Sequence, residues 1–136
     1  MRSHLLLAFF FFLASNMCLC QKYSMGISLF YEINQFQSET NYKRLDSVCK
    51  LIRDNRVEIK ITGYADFLST DQFNKQLSEK RAFAVKNYLL KKQGQYNLNI
   101  TQCEGVGEKN SKPSLSQLGV AADRRVEVFL TLFSIN

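Results

Sequence analysis

Asp66 and Arg81 are the pair of residues in this sequence whose types and spacing point most directly to a chemistry. An ionised aspartate accepts hydrogen bonds from an ammonium, and the planar arginine fork matches a carboxylate with two parallel N–H donors. Together they are complementary to an amino-acid head group, which carries both charges a short distance apart. Asn74 lies between them in sequence and can donate or accept at the edge of such a site. The same residues also permit a plainer outcome, an internal Asp66–Arg81 salt bridge that only braces a loop. Spacing alone leaves both readings open.

The elements around these residues determine whether they can meet. Val57 to Thr62, "VEIKIT", alternates Val57, Ile59 and Ile61 with Glu58, Lys60 and Thr62, the period of a half-buried strand. Asp66 follows the end of that strand, with Gly63 giving backbone freedom nearby. A helix is predicted from Asp71 to Lys92, capped by one of Ser69, Thr70 or Asp71 and closed by Gly94. With Phe73 set at zero on a wheel of 100° per residue, Leu77, Ala84 and Tyr88 fall between about 20° and 60°. Val85 and Leu89 fall near 120° and 160°, and Arg81 and Asn74 land between the two apolar groups at about 80° and 100°. A helix built only for packing would not put its arginine and asparagine there. In a strand–loop–helix unit the strand's C-terminal end adjoins the helix's first turns, so Asp66 is expected to face Asn74 and Arg81 across a shallow groove.

Four further segments complete the chain. Ser24 to Ile33 reads as a strand, and Asn41 to Asp54 as a helix with Leu45, Val48, Cys49 and Ile52 on one face. Ser38 or Thr40 is the expected cap of that helix. Leu98 to Val106 reads as a third strand ending in the Gly105–Gly107 turn. After a loop containing Pro113 and Gly119, "RRVEVFLTLF" from Arg124 is the last strand. Helices alternating with strands, closed by a pair of strands, predict an α+β fold of βαβαββ order, a small sandwich with its helices on one face of a mixed sheet.

The chain has 136 residues, enough for one compact domain. Its start, MRSHLLLAFFFFLASNMCLCQ, has a short polar head and an unbroken apolar run from Leu5 to Leu13. That run is too short to cross a bilayer core, which takes roughly 20 helical residues. Residues 1–20 are therefore read as a secretory signal and residues 21–136 as a single exported domain. Cleavage before Gln21 is favoured over lipidation at Cys18 or Cys20, because Met17 and Leu19 are poor neighbours for an acylated cysteine. Without Arg2 of the leader the formal charge falls from +6 to +5, which suits an anionic partner, although charge alone speaks more for solubility. Cys49 and Cys103 remain beyond residue 20; they permit a disulfide, with Cys49 expected on the core face of its helix.

The sole histidine, His4, belongs to the leader. The rest of the chain therefore contains no Ser–His or Cys–His nucleophile pair and no histidine metal ligand, and it has no glycine-rich phosphate loop. Neither a catalytic residue nor a metal or cofactor site is assigned. Glu108 could serve glycoside chemistry only with a second carboxylate roughly 5–10 Å away, and no such pair is assigned. The absence of an aromatic–basic stripe argues against nucleic acid.

"GYADFLSTDQFNKQLSEKRAFAVKNYLL", "GVGE" and "DRRVEVF" together resemble the OmpA-like peptidoglycan-binding domain found in outer-membrane protein A, in Pal lipoproteins and in MotB-type stators. The carrying residues are Gly63-Tyr64-Ala65-Asp66, Phe73-Asn74, Leu77-Ser78, Arg81-Ala82, Gly105-Val106-Gly107-Glu108 and Asp123-Arg124-Arg125-Val126. The match is good over 57–130 and weaker over 22–56. The resemblance implies that Asp66 and Arg81 grip the diaminopimelate of the peptidoglycan stem peptide, that Asn74 adds a polar contact, and that Arg124 lies near the site. Arg125 is the weaker candidate, since neighbours on a strand point to opposite faces; for Arg124 itself the competing role is sheet-edge charge. Ala65 stands where the family has Thr and Phe73 where it has Tyr, so weaker binding is expected. The resemblance implies a non-enzymatic, non-covalent peptidoglycan binder of the periplasm, associated with the outer membrane or with other envelope proteins. The alternative is a protein–protein module of an envelope or secretion assembly with a degenerate wall site.

Overall fold

The computed structural model describes residues 21–53, 55–109, 111 and 118–134. The leader at 1–20, with Cys18 and Cys20, and most of the loop around Pro113 lie outside the described residues. The elements run β1 (Lys22–Phe30), α1 (Glu39–Ile52), β2 (Arg56–Gly63), α2 (Asp71–Leu90), β3 (Leu98–Gly105), a 3₁₀ turn (Ala121–Asp123) and β4 (Arg125–Phe133). Ser38 caps α1 by accepting from the Asn41 amide, and Thr70 caps α2 by accepting from the Phe73 amide.

The four strands form one mixed sheet in the order β1-β4-β2-β3. β4 is antiparallel to both β1 and β2, while β2 and β3 are parallel, as a crossover through α2 requires. The expected α+β architecture is therefore observed, with one adjustment. β3 and β4 follow each other in sequence without pairing, because β4 enters the sheet between β1 and β2. A second departure concerns Gly94. α2 ends at Leu90 and unwinds through a turn in which the amides of Lys92 and Gln93 donate to the carbonyls of Leu89 and Leu90. Gly94 does not take the left-handed conformation of a glycine cap; among the described glycines only Gly107 and Gly119 have positive φ.

The core lies between the helices and one face of the sheet. Val57, Ile59 and Ile61 of β2 and Val126, Val128 and Leu130 of β4 meet Leu45, Cys49 and Ile52 of α1 and Val85 and Leu89 of α2. The opposite sheet face leaves Phe30 and Phe129 about half exposed. Cys49 sits on the core face as expected, and it and Cys103 are free thiols rather than a disulfide.

Two glycines fix the height of α2 above the sheet. A Cβ on Gly63 would lie 2.1 Å from the Ser78 carbonyl oxygen, and one on Gly105 would lie 2.2 Å from the Glu79 nitrogen. The helix backbone rests directly on β2 and β3 at this point, which only glycine allows. A bulge in β3 opposite Ile59 and Lys60 brings Gly105 level with Gly63. Ser78 then accepts from the Gly107 amide at 2.8 Å, and Lys75 donates its ammonium to the Gly105 carbonyl. These contacts pin the first half of α2 beside the C-terminal ends of β2 and β3.

Candidate functional site

The loop after β2 is tied down on both sides. The Tyr64 amide donates to the Arg125 carbonyl at 2.8 Å, and the Ala65 amide donates to the Gly107 carbonyl at 2.9 Å. Asp66 is thereby held between β4 and the Gly105–Gly107 turn, 5% exposed. Its carboxylate pairs with Arg124, whose Nη1 donates to Oδ2 at 2.9 Å. Arg124 is 7% exposed and also donates from Nε to the Tyr31 carbonyl at 3.2 Å and from Nη1 to the Leu118 carbonyl at 3.1 Å. Gly119, at φ +68°, closes over the pair; a Cβ there would stand 2.3 Å from Asp66 Oδ2.

Arg81 is fully buried. Its Nε donates to the Gln35 carbonyl at 2.8 Å, Nη1 to the Tyr64 carbonyl at 2.9 Å, and Nη2 to the Glu32 carbonyl at 3.2 Å. The guanidinium lies 5.2 Å from the centroid of the Tyr31 ring, within cation–π range. Burial, the largest influence, pulls its pKa down to about 10, and the charges of Tyr31 and Asp66 oppose that shift. Burial likewise pushes the Tyr31 hydroxyl up to about 12.

These contacts correct one expectation. Arg81 does not face Asp66 across an open groove, and the ion pair made by Asp66 is with Arg124 rather than with Arg81. The fork meant for a carboxylate is filled by backbone carbonyls, two from the segment between β1 and α1 and one, that of Tyr64, from the loop after β2. Arg125 turns outward as strand alternation predicts, lying 4.2 Å from the Tyr64 ring centroid and pairing with Glu127 at 2.8 Å.

Asn74 is 1% exposed. Its Nδ2 donates to the Ser69 carbonyl at 3.1 Å and to the Glu108 carboxylate. Glu108 thus has a partner that sequence reasoning missed, and so does Gly119; neither contact leaves a periodic signal. Asp66, Ser69 and Asn74 form the polar side of a groove of about 350 Å³, opposite Ile33, Leu68, Phe73 and Leu77. Its apolar rim is unusually open: Ile33 is 41% exposed and Phe73 43%. Such a groove is suited to holding a small polar head against buried charge with an aliphatic part beside it. Both thiols are kept protonated, chiefly by burial, so neither is an activated nucleophile.

The model of the OmpA family matches residues 30–125. Outer membrane protein A of Buchnera aphidicola subsp. Schizaphis graminum is 29% identical over 103 residues, 67% of this chain and 28% of that protein. The chain therefore spans just over a quarter of that relative's length. Among solved structures, the OmpA-like domain of FopA1 from Francisella tularensis is similar with a TM-score of 0.58 at 20% identity, over 85% of this chain and 78% of that one. The peptidoglycan-associated lipoprotein of Burkholderia pseudomallei gives a TM-score of 0.58 at 19% identity, over 79% and 89%. At these identities the structures speak for the fold, and the family match carries the assignment. The chain, with its mixed sheet, its Asp66–Arg124 pair and its buried Arg81, belongs to the OmpA family.

Proposed function

We propose that this chain is an exported envelope protein that binds peptidoglycan non-covalently, at the diaminopimelate of the stem peptide. One observation carries the reading: a buried, arginine-held carboxylate, Asp66, lines a groove together with Asn74. Asp66 accepts from the ligand's ammonium, and Asn74 contacts its edge. Arg124 orients Asp66, and Arg81 holds the segment carrying Ile33 and Asn34 against the groove. No bond is made or broken. The name of the Burkholderia relative, a peptidoglycan-associated lipoprotein, supports the same ligand class. Binding of a single stem peptide is weak, because partly hydrated ion pairs contribute only about 0–1 kcal/mol each, and the repeating wall supplies avidity. Residues 1–20 direct export, and the domain lies in the periplasm.

The test is co-sedimentation of residues 21–136 with insoluble diaminopimelate-type peptidoglycan, with and without free meso-diaminopimelate. Pelleting that the free amino acid competes away is the expected result. A chain that stays in the supernatant overturns the reading. A second reading, a protein–protein module on this fold, is favoured by the half-exposed Phe30 and Phe129 on the uncovered sheet face. Supernatant-only behaviour would favour it.

A further inference from the structure

The groove takes up one end of the fold, and the opposite end has a different chemistry. β1, β2 and β3 begin there, β4 ends there, and α1 and α2 bring their last turns to it. At 3.3 Å per residue, β2 carries Arg56 about 23 Å away from Gly63 and the Asp66 loop. Six bases stand at these element ends: Lys22, Lys50, Arg53, Arg56, Lys91 and Lys92. The acids beside them are Asp46, which pairs with Lys92, Glu58, which pairs with Arg56, and Asp54, which lies outside the described residues. Lys22, Lys50, Arg53 and Lys91 are exposed and make no ion pair among the described residues.

Surface charge by itself only keeps a protein in solution, and bases at helix C-termini also offset the dipole there. The dipole accounts for Lys50 and Lys91 but not for Lys22 and Arg56, which stand on strands. Two further features ask for a ligand. Apolar side chains are set among the cations: Leu51 is 72% exposed and Tyr23 58%. Phe133 lies between Lys22 and Arg56 in the sheet register, with the ammonium 6.0 Å and the guanidinium 5.7 Å from its ring centroid. The second feature is a hollow of about 410 Å³ at the same end, lined by Arg53, Gln95, Tyr96 and Asn97 among others. The side chains of Gln95 and Asn97 make no hydrogen bond among the described residues. An arginine fork and two amides are donors that match phosphate oxygens. Cations that reach for phosphate, interleaved with exposed apolar and aromatic groups, are the pattern of a surface that lies on lipid headgroups.

We infer that this end of the domain docks on an anionic lipid surface, with Lys22, Lys50 and Arg53 on headgroup phosphates and Leu51 and Tyr23 seated among the groups just below them. The inference goes beyond the peptidoglycan reading and does not depend on it. A soluble polyanion would satisfy the cations and leave Leu51 and Tyr23 in water, which is why a lipid surface is the occupant that uses the whole end. Docked in this way, the domain turns the Asp66 groove away from the bilayer.

The experiment is flotation of residues 21–136 with vesicles of mixed phosphatidylglycerol and phosphatidylcholine, and with vesicles of phosphatidylcholine alone. The wild-type chain should float with the mixed vesicles, stay behind with the neutral ones, and be released as salt is raised. The triple variant Lys22→Gln, Lys50→Gln, Arg53→Gln should bind the mixed vesicles about a hundredfold more weakly, at about fivefold for each cation. A charge-matched triple at the groove end of the helices, Lys43→Gln, Arg44→Gln, Lys80→Gln, should lose far less. Leu51→Ser should weaken binding at every salt concentration, because its part is apolar. All these residues are exposed, and the amide spectrum of each variant reports the fold. A wild-type chain that does not float with the mixed vesicles overturns the inference. So does an equal loss in the two triples, which would make net charge the cause, and so does a Leu51→Ser chain that binds as the wild type does, which would make the end a general polyanion site. Pelleting with peptidoglycan is read separately and should be the same for the Lys22, Lys50, Arg53 triple as for the wild type, so failure on lipid and failure on the wall are distinct results.

Discussion

Two arginines are buried within one site, and they are neutralised by different means. Arg124 meets a carboxylate, so its neighbourhood is an ion pair reinforced by two carbonyls. Among the described residues Arg81 pairs with no carboxylate; three carbonyls and an aromatic face surround it. Tyr31 joins the two environments, giving its backbone carbonyl to Arg124 and its ring to Arg81. The difference is one of sensitivity. An ion pair out of water is balanced only while both partners remain, whereas carbonyls at a loop can turn to water when their donor leaves. The first arrangement is the more brittle and the second the more forgiving.

The largest effect should follow from breaking the pair on one side. Asp66→Ala leaves Arg124 charged and buried without its counter-ion, and a loss of about 3–5 kcal/mol in unfolding free energy is expected from urea denaturation. Replacing both partners, Asp66→Leu with Arg124→Met, should recover most of that loss, because matched apolar groups remove the uncompensated charge. If the double variant is no more stable than the single one, the brittleness lies elsewhere than in the pairing.

Arg81→Lys keeps a charge but cannot reach all three carbonyls, so a smaller loss, about 2–3 kcal/mol, is expected. Hydrogen exchange should rise in the segment from Glu32 to Gln35, which loses two of its ties. A variant as unstable as Asp66→Ala would contradict the contrast drawn between the two arginines.

Gly119→Ala sharpens the comparison further because it reaches only the Arg124 side. Its φ of +68° and the 2.3 Å approach of a Cβ to Asp66 Oδ2 predict a loss of about 1–2 kcal/mol, again from the urea midpoint. Chemical-shift changes should gather at Asp66 and Arg124 and spare Gln35.

The smallest effect belongs to Tyr31 and is seen only in alkali. Its hydroxyl, near 10 when unfolded, is raised to about 12 in the fold, chiefly by burial. The stability it contributes is complete below pH 10 and is lost as the pH climbs through about 12. Tyr31→Phe should therefore hold its urea midpoint between pH 10 and 12 better than the wild-type chain does. Identical alkaline profiles would mean that the ring is hydrated.

Much of this was legible from residue patterns. The wheel placed Arg81 and Asn74 among apolar neighbours, and both are buried; strand alternation separated Arg124 from Arg125, and they point to opposite faces. What periodicity conveys is which side a residue takes, and it is silent on the partner found there. The acceptors for Arg81 are main-chain carbonyls at 32, 35 and 64, and a carbonyl has no letter of its own. The Asp66–Arg124 contact joins a loop to the start of the last strand, a separation at which only the completed sheet order determines who meets whom. Gly94 misled for a related reason: a glycine after a helix suggests a cap, but here the chain leaves α2 through an ordinary turn.

The place of β4 in the sheet has a consequence for how the molecule comes to exist. β4, last in chain order among the described strands, is an interior one, bonded to β1 on one flank and β2 on the other. Until those residues have been synthesised, the earlier strands have no common neighbour and the core has no floor. Stable structure in this domain must therefore wait for β4, and the ladders then close over long sequence separations, a slow route. Truncation into β4 would remove a keystone rather than trim a margin.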